Sequence, residues 1–283
     1  MFNKVIVGVD GQEGGRDAIA LAGILRGEGG ELTLAHVYST DAHVWRKSPD
    51  REAAERQRAL ELLENVRGET GIGANLRLHR SSSVGRGLHE LCGLIRADLL
   101  VVGSSRHELL GRVLIADDTR AALNGAPCAI AIAPAGYAEQ PAAMREIGVG
   151  YNGSPESEHA VAFARNVAAT HGAKVSVFEA VSLPTYAFVG GAEPVDRAID
   201  ELVDDARERI AALGVEAHAV YGNPVQELAL YSASLDLLVV GSRDYGPLGR
   251  LVHGSTSHQL ARNARCPLLV LTRAARAGTI GGD

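Results

Sequence analysis

The sequence predicts an α/β protein built from two similar open doubly wound domains. Three observations predict this fold class: the 283-residue chain repeats itself once, each copy alternates strand-like with helix-like segments, and the strand-like segments are continuous apolar runs. Runs rich in Val, Ile and Leu are typical of strands buried on both faces, as in a parallel sheet covered by helices. Each copy is therefore expected to form a five-stranded, mostly parallel sheet with helices on both faces.

The internal repeat defines the predicted domains. Two blocks of the first half match two blocks of the second: residues 5–25 match 147–167, and residues 96–133 match 234–271. Offsets of 142 and 138 residues are too long for a solenoid unit, so each copy is expected to be a whole domain. The stretch "PAGYAEQPAAMRE" contains turn-forming residues and separates the copies. The predicted domains are residues 1–140 and 141–283.

Five strands and four helices are predicted in each copy. In the first copy the strands are 4–10, 31–38, 75–81, 98–104 and 128–133, and the helices are 15–27, 50–69, 87–96 and 117–125. In the second copy the strands are 146–152, 174–181, 216–222, 235–242 and 267–272, and the helices are 157–172, 192–214, 224–232 and 255–264. The charged helices near 50–68 and 193–213 are too short for a coiled coil and are predicted to be solvated amphipathic helices.

The last strand of each copy, "CAIAIA" or "CPLLVL", is short and apolar. If both strands kept a free edge, the edges would invite aggregation. We therefore expect these two strands to pair with each other, which would make the chain an intrachain pseudo-dimer.

Composition and charge narrow the class of function. A net charge of −6 argues against nucleic acid as a partner, because nucleic-acid binding usually needs a basic face. No apolar run approaches the roughly 18 residues of a membrane span. The N-terminus "MFNKVIVGVDG" does not resemble a signal peptide, so a cytoplasmic protein is expected. Three scattered cysteines, Cys92, Cys128 and Cys266, fit neither a disulfide framework nor a metal cluster and are expected to be buried.

The segment "GSRDYGPLGRLVHGSTS" at 241–257 directly follows the apolar run "LDLLVV". Glycine lets main-chain N–H groups approach a ligand closely, and Ser or Thr at a helix start adds donors to the positive end of the helix dipole. Gly241, Gly254 and the hydroxyl groups of residues 255–257 therefore indicate an anion site. The alternative interpretation is a solvent-exposed loop with turn residues.

These features resemble the universal stress protein family in its tandem two-domain form. That family carries a G-x2-G-x9-G-[ST] loop after the fourth strand and an acidic residue in a V-x-x-D-G-S-like turn at the tip of the first strand. The resemblance covers essentially the whole chain, twice. It implies an adenine-nucleotide alpha hydrolase-like fold whose loop wraps ATP or a related nucleotide (ADP or AMP), and whose domains pair through their last strands.

The second copy keeps most of the family's phosphate loop. Gly241 is followed by Asp244 in place of the second glycine, and then by Gly254 and Ser255 at the nine-residue spacing. Asp244 either turns outward or helps to hold Mg²⁺ against the phosphates, and Arg243 is near enough in sequence to offset its charge.

The first copy has lost most of this loop. Gly103 is followed by Arg106, and Ala116 and Asp117 stand where glycine and serine are expected. A carboxylate there caps the helix itself and competes with an incoming anion. Like charges at about 4 Å cost roughly 1 kcal/mol in water and about 4 kcal/mol near a protein surface. We therefore predict that the first copy is disabled for phosphate binding.

The tip of the first strand shows the opposite pattern. The first copy keeps Asp10 in "GVDGQ", where the family uses a carboxylate on the adenine and ribose side, whereas the second copy has Asn152 in "GYNGS". An amide still donates and accepts hydrogen bonds, but it lacks charge assistance. The first copy thus keeps the sugar end of the pocket, and the second keeps most of the phosphate end.

The predicted nucleotide-binding residues lie mainly in the second domain. They are Gly150, Tyr151, Asn152, Ala180, Gly241, Arg243, Asp244, Gly254, Ser255, Thr256 and Ser257. The weaker first-domain candidates are Asp10, Val37 and Gly103. No catalytic residue and no metal site is predicted, because the histidines lack ligand spacing and no nucleophile elbow is found in the right context.

The function predicted from these residues is adenine-nucleotide binding that regulates a stress response, with little or no turnover and at most slow ATP hydrolysis. Two alternatives stay open. One is an interaction or dimerisation module whose pockets are vestigial, and the other is a weak nucleotide hydrolase or adenylyl transferase. The expected partners are an adenine nucleotide and an unidentified regulatory protein, with no membrane and no nucleic acid, and a homodimer of the chain is a further open arrangement.

Overall fold

Ten strands in the described part of the chain form one continuous mixed sheet. The computed structural model describes residues 1–39, 49–104, 125–182, 192–242 and 256–272. The strands are β1 (Phe2–Gly8), β2 (Arg26–Ser39), β3 (Asn75–Ser81), β4 (Leu99–Gly103), β5 (Ala129–Ala133), β6 (Glu146–Gly150), β7 (Lys174–Val181), β8 (Glu216–Tyr221), β9 (Leu237–Gly241) and β10 (Leu268–Leu271).

Seven α-helices lie in the described ranges. They are α1 (Glu13–Leu25), α2 (Pro49–Thr70), α3 (Val84–Ile95), α4 (Pro155–His171), α5 (Ala192–Ala211), α6 (Pro224–Tyr231) and α7 (Thr256–Asn263). The helix predicted at 117–125 lies outside the described residues, apart from Gly125 at its end. In these ranges the alternation of strands and helices follows the predicted order in both copies.

The strand order is β3-β2-β1-β4-β5-β10-β9-β6-β7-β8. All neighbours within β1–β5 and within β6–β10 are parallel, so each domain contributes five parallel strands. The one antiparallel pair is β5 with β10, where Ala131 faces Leu269. The predicted pairing of the two last strands is therefore confirmed, and it joins the two domains into a single sheet.

Both faces of the sheet are covered, as the continuous apolar runs predict. One buried cluster takes Val5 and Val7 from β1 together with apolar residues of α1, α2, α4 and α5. The other takes Ile6 from the same strand together with apolar residues of α3, α6 and α7. Because successive side chains of a strand point to opposite faces, one strand supplies both clusters. The open doubly wound α/β fold is thus confirmed in both domains.

Capping residues explain why some helices begin earlier than their apolar pattern predicts. The hydroxyl of Ser83 accepts a hydrogen bond from the backbone N–H of Arg86, and α3 begins at Val84 instead of Gly87. Ser154 caps α4 in the same way through the N–H of Ser157 at 3.3 Å. A cap satisfies donors of the first turn, which have no partner within the helix.

Buried or half-buried carboxylates fix the strand ends and the connector between the domains. Asp98 accepts hydrogen bonds from two backbone N–H groups at the start of β1, and Asp236 does the same at the start of β6. Asp17 on α1, which is 2% exposed, accepts from the N–H groups of Gly136 and Ala138 at 2.9 and 2.8 Å. The connector is thereby tied to the first domain.

The three cysteines are buried and form no disulfide, as the sequence predicts. Contact with Cys128 and burial both raise the pKa of the Cys92 thiol, and burial raises that of Cys266. A raised thiol pKa keeps both groups protonated and unreactive. No helix in the described ranges is both long and apolar enough to cross a bilayer.

Candidate functional site

The candidate site lies at the carboxyl edge of the second domain's sheet. The central strand β6 ends at Gly150 and runs between β9, which ends at Gly241, and β7, which carries Ala180 near its end. Tyr151 and Asn152 directly follow β6. The structure therefore brings these five predicted residues to one edge, across three neighbouring strands.

The strand order reverses direction between β6 and β9. From β6 the chain continues outward to β7 and β8, whereas β9 and β10 lie on its other side. Such a reversal opens a crevice beyond the carboxyl ends of the two central strands, and ligands of open α/β sheets bind there. Gly241 and Asn152 flank this crevice.

The start of α7 carries the other described site residues. Thr256 is the first residue of this helix and is exposed, while Ser257 is buried. The positive end of a helix dipole favours anions, and hydroxyl groups there add donors. The remaining predicted residues, Arg243, Asp244, Gly254 and Ser255, lie outside the described residues, as do Arg106, Ala116 and Asp117 of the first copy.

The tip residues Asp10 and Asn152 make the same local hydrogen bond. Oδ1 of Asp10 accepts from the N–H of Gln12 at 2.9 Å, and Oδ1 of Asn152 accepts from the N–H of Ser154 at 3.2 Å. Both side chains are exposed. Each residue thus shapes the turn into its helix with one atom and leaves the other side-chain atom toward solvent.

Gly241 and Gly103 have a packing role that the sequence did not reveal. A Cβ atom at Gly241 would lie 2.5 Å from the carbonyl oxygen of Glu156, and one at Gly103 would lie 2.0 Å from that of Gly14. Each glycine therefore lets the strand end approach the first turn of α4 or α1. The sequence analysis attributed the bare backbone at Gly241 to a ligand, whereas contact with the helix already requires it.

Two buried serines follow these glycines. Ser104 and Ser242 are each 2% exposed, and within the described part of the chain neither hydroxyl has a hydrogen-bond partner. Their backbone N–H groups donate to the carbonyl oxygens of Ala133 and Leu271 at 2.9 and 3.0 Å, so these backbone donors are satisfied. Sequence reasoning missed both serines, although the repeated "VVGS" in the two copies was an available signal.

On the β7 side of the candidate site, the carboxylates Glu158 and Glu179 influence the aromatic side chain of Tyr151. Glu179 on β7 is 8% exposed, and both its oxygens accept from Nη2 of Arg209 at 3.1 and 3.0 Å. Burial raises the pKa of the neighbouring Tyr151, with the charges of Glu158 and Glu179 adding to the effect. The ion pair therefore fixes the last turns of α5 beside β7. Only Tyr151 was predicted.

Glu156 is a further carboxylate that the sequence analysis missed. It belongs to the first turn of α4, is 6% exposed and packs its backbone against the position of Gly241. The first copy has Gly14 at the matching place. The second domain thus carries a buried acidic residue beside its crevice where the first domain has none.

The first domain has a cavity beside the end of β2. A space of about 360 Å³ lies between the end of β2, which supplies His36, Val37 and Tyr38, and the helix α2. Nδ1 of His36 donates to the carbonyl oxygen of Val9 at 2.7 Å, which ties β2 to the end of β1. Of the first-domain candidates, Val37 lines this cavity.

A larger cavity of about 440 Å³ lies along the connector, between Tyr137 and Arg265, and none of the predicted site residues lines it. Within the described ranges, no group of three His, Cys, Asp or Glu side chains could hold a metal ion.

The fold defines a class of protein: a fused pair of doubly wound domains, each with a reversal of strand order between two central strands. The family model of the universal stress proteins matches residues 1–134 and again residues 144–272. The chain belongs to the universal stress protein family in its tandem form.

Individual relatives agree with this assignment. Universal stress protein Rv2005c of Mycobacterium tuberculosis is 28% identical over 285 residues, which cover 94% of this chain and 96% of that protein. A universal stress protein of Thermus aquaticus is 30% identical over 136 residues, or 45% of this chain and 98% of that protein. The crystal structure of a universal stress protein from Archaeoglobus fulgidus has a TM-score of 0.68 at 17% identity, covering 96% of each chain.

Proposed function

We propose that this protein binds an adenine nucleotide, ATP or its products ADP and AMP, in the second domain. The observation that carries the proposal is the reversal of strand order between β6 and β9, which brings Gly241 and Ser242 of the β9 end beside Asn152, which follows β6. Neighbouring strands lie about 4.8 Å apart, so β9, β6 and β7 together span about 10 Å. That width suits a nucleotide laid across the strand ends.

The phosphate groups are assigned to the β9 side of the crevice. Gly254, Ser255 and Thr256 would supply N–H and hydroxyl donors at the start of α7, where the helix dipole favours negative charge. Among the described residues the buried hydroxyl of Ser242 has no hydrogen-bond partner, and a phosphate oxygen would satisfy this donor, which otherwise costs about 1–3 kcal/mol. Arg243 would add a positive charge, and Mg²⁺ would be held through Asp244 if that side chain turns inward.

The adenine is assigned to the β7 side. Backbone groups of Tyr151 and Ala180 would flank the base, as the sequence predicts. Ala180 precedes the end of β7, whose Glu179 is fixed by Arg209. A base held by fixed backbone groups needs little further ordering on binding.

We further propose that binding serves regulation and that turnover is slow at most. Main-chain N–H groups and hydroxyls hold a phosphate but do not activate a water molecule, which requires a positioned general base. A regulatory protein partner in the cytoplasm, or a second copy of the chain, is proposed to recognise the nucleotide-bound form of the protein. The proposed domain boundary is that predicted from the repeat, between residues 140 and 141.

A titration calorimetry experiment with ATP tests the proposed site. We expect saturation near one nucleotide per chain, and we expect Gly254→Leu to abolish binding because its side chain would fill the space of the phosphates. The matched control is Ala116→Leu, which places the same bulk at the corresponding position of the first copy and should leave the titration unchanged. Two equivalent sites per chain would contradict the assignment to the second domain.

The alternative of an interaction module without a ligand rests on the departures from the family loop, in particular Asp244. Mass spectrometry of the purified, undenatured protein separates the two functions. Co-purified adenine nucleotide, lost in the Gly254→Leu variant, is expected for the binding protein. If the measured mass equals that of the protein without nucleotide, and calorimetry detects no binding of ATP, the interaction module is favoured.

A further inference from the structure

The strand order determines which residue meets the sugar of a bound nucleotide. This step rests on the proposed function, with phosphates at β9 and the base at β7. Because β6 lies between these two strands, the ribose lies over the end of β6. The exposed side chain at that end is Asn152. The hydrogen-bonding groups and the charge of this side chain therefore determine which substituents on the ribose oxygens can be bound.

The amide of Asn152 has a defined orientation. Its Oδ1 accepts the backbone N–H of Ser154, so the oxygen is committed to the turn and the Nδ2 group is the remaining end. Nδ2 forms no hydrogen bond with any residue in the described ranges. An amide nitrogen only donates. The side chain of Asn152 thus presents two N–H donors and no charge to the ribose.

The first domain presents the reverse chemistry at the same place. Asp10 commits Oδ1 to the N–H of Gln12 and leaves a carboxylate oxygen, which only accepts and is negatively charged. A carboxylate accepts hydrogen bonds from free 2′ and 3′ hydroxyls, but it repels a phosphate on either oxygen. The amide of Asn152 instead donates to phosphate oxygens.

The first turn of α4 begins at Pro155, close to Asn152. Ser154 accepts hydrogen bonds from the N–H groups of Ser157 and Glu158, so these two donors are used at the start of the helix. Glu158 is exposed in this turn and disfavours an anion, while Glu156 is buried. The donor at Asn152 is therefore the feature that distinguishes the two domains.

We propose that the second-domain site accepts adenine nucleotides that carry a phosphate on the 2′ or 3′ oxygen of the ribose. The ligand class is thus wider than 5′-nucleotides with free ribose hydroxyls. Asn152 is the residue that admits the additional phosphate, and an aspartate at this position would exclude it.

Two matched ligands test this proposal: AMP and adenosine 3′,5′-bisphosphate, each titrated by calorimetry into the full-length protein. The unmodified protein should bind the bisphosphate at least as tightly as AMP. Asn152→Asp keeps the Oδ1 acceptor for Ser154 and adds only a charge, so the fold should be retained. It should weaken the bisphosphate relative to AMP by between about fivefold and several hundredfold, the range expected for one like-charge contact.

A control variant separates this local effect from net charge. Asn75→Asp adds the same charge at the start of β3, at the amino edge of the other domain, and should leave the affinity ratio unchanged. Adenosine 2′,5′-bisphosphate should behave like the 3′,5′ compound. The inference would be overturned, and the proposed function would stand, if the protein bound AMP but not the bisphosphate. The same would follow if Asn152→Asp left the ratio of the two affinities unchanged. If the protein bound none of ATP, AMP and the two bisphosphates, both the proposed function and this inference would be overturned.

Discussion

Two requirements favour glycine at Gly241, the end of the fourth strand of the second domain: the proposed ligand and the packing of a helix. The proposed ligand needs an open backbone at Gly241, and the first turn of α4 approaches the same position closely. A substitution there therefore damages the fold before it damages the site. Loss of nucleotide binding in a Gly241 variant has to be interpreted together with stability.

Stability measurements without nucleotide separate these two constraints. Gly241→Ala should lower the free energy of unfolding by about 1–3 kcal/mol, because its Cβ meets the carbonyl of Glu156. Gly23→Ala, on an exposed part of α1 with nothing near the added atom, should instead raise it by about 0.5–1 kcal/mol. Urea denaturation measures both. Equal effects in the two variants would show that close packing at Gly241 is not the cause.

At the scale of single elements, the predicted loss of the first phosphate site is attributed to the segment that follows β4, which lies outside the described residues. The hypothesis is that Asp117 occupies the helix N-terminus that a phosphate would use. Asp10 is already present at the sugar end, and the cavity beside Val37 remains. The defect is therefore expected to be local to one loop.

Repairing that loop tests the hypothesis. The double variant Ala116→Gly, Asp117→Ser should gain between about fivefold and several hundredfold in affinity of the first domain for AMP or ADP, since one like-charge contact is removed. The gain should shrink as salt rises, because salt screens exposed charges. Calorimetry in a Gly254→Leu background isolates the first domain. An equal gain for adenosine would mean that loop shape, and not charge, closed the pocket.

At the scale of the whole molecule, the pairing of β5 with β10 replaces two exposed apolar edges by one internal seam. An isolated first domain, residues 1–140, would expose the edge of β5. We expect this fragment to form a dimer through that edge, since an unpaired apolar strand is a template for another chain. Light scattering after size-exclusion chromatography measures the mass. A monomer at tens of micromolar concentration, by order of magnitude, would count against this role of the seam.

The sequence predicted the fold because its signals are long and repeated. Apolar runs such as 99–103 and 237–241 are read directly as buried strands, and their recurrence fixes the domain number. Helix starts were less predictable, because a cap such as Ser154 lies before the apolar pattern begins.

The candidate site was predicted less completely, for physical reasons that individual residues show. Asn152 follows β6 and Ala180 lies near the end of β7, so both could be placed by topology alone. Glu156, Glu179 and Ser242 matter because they are buried at the edge, and burial depends on packing between elements distant in sequence. A helix start rich in glutamate looks solvent-exposed in sequence, so Glu156 gave no signal of its own.

The seam also has a consequence for how the protein behaves on dilution. Two separate subunits would come apart as their concentration falls, whereas here a connector of a dozen residues, between Ala133 and Glu146, keeps the partner strands together. A short tether of this kind corresponds to a local concentration in the millimolar range, by order of magnitude. Because β5 and β10 pair antiparallel, the strands of the two domains run in opposite directions. The carboxyl ends of the strands therefore lie at opposite edges of the sheet in the two domains. Even at low protein concentration in a cell, the first and second domains therefore stay paired within each molecule.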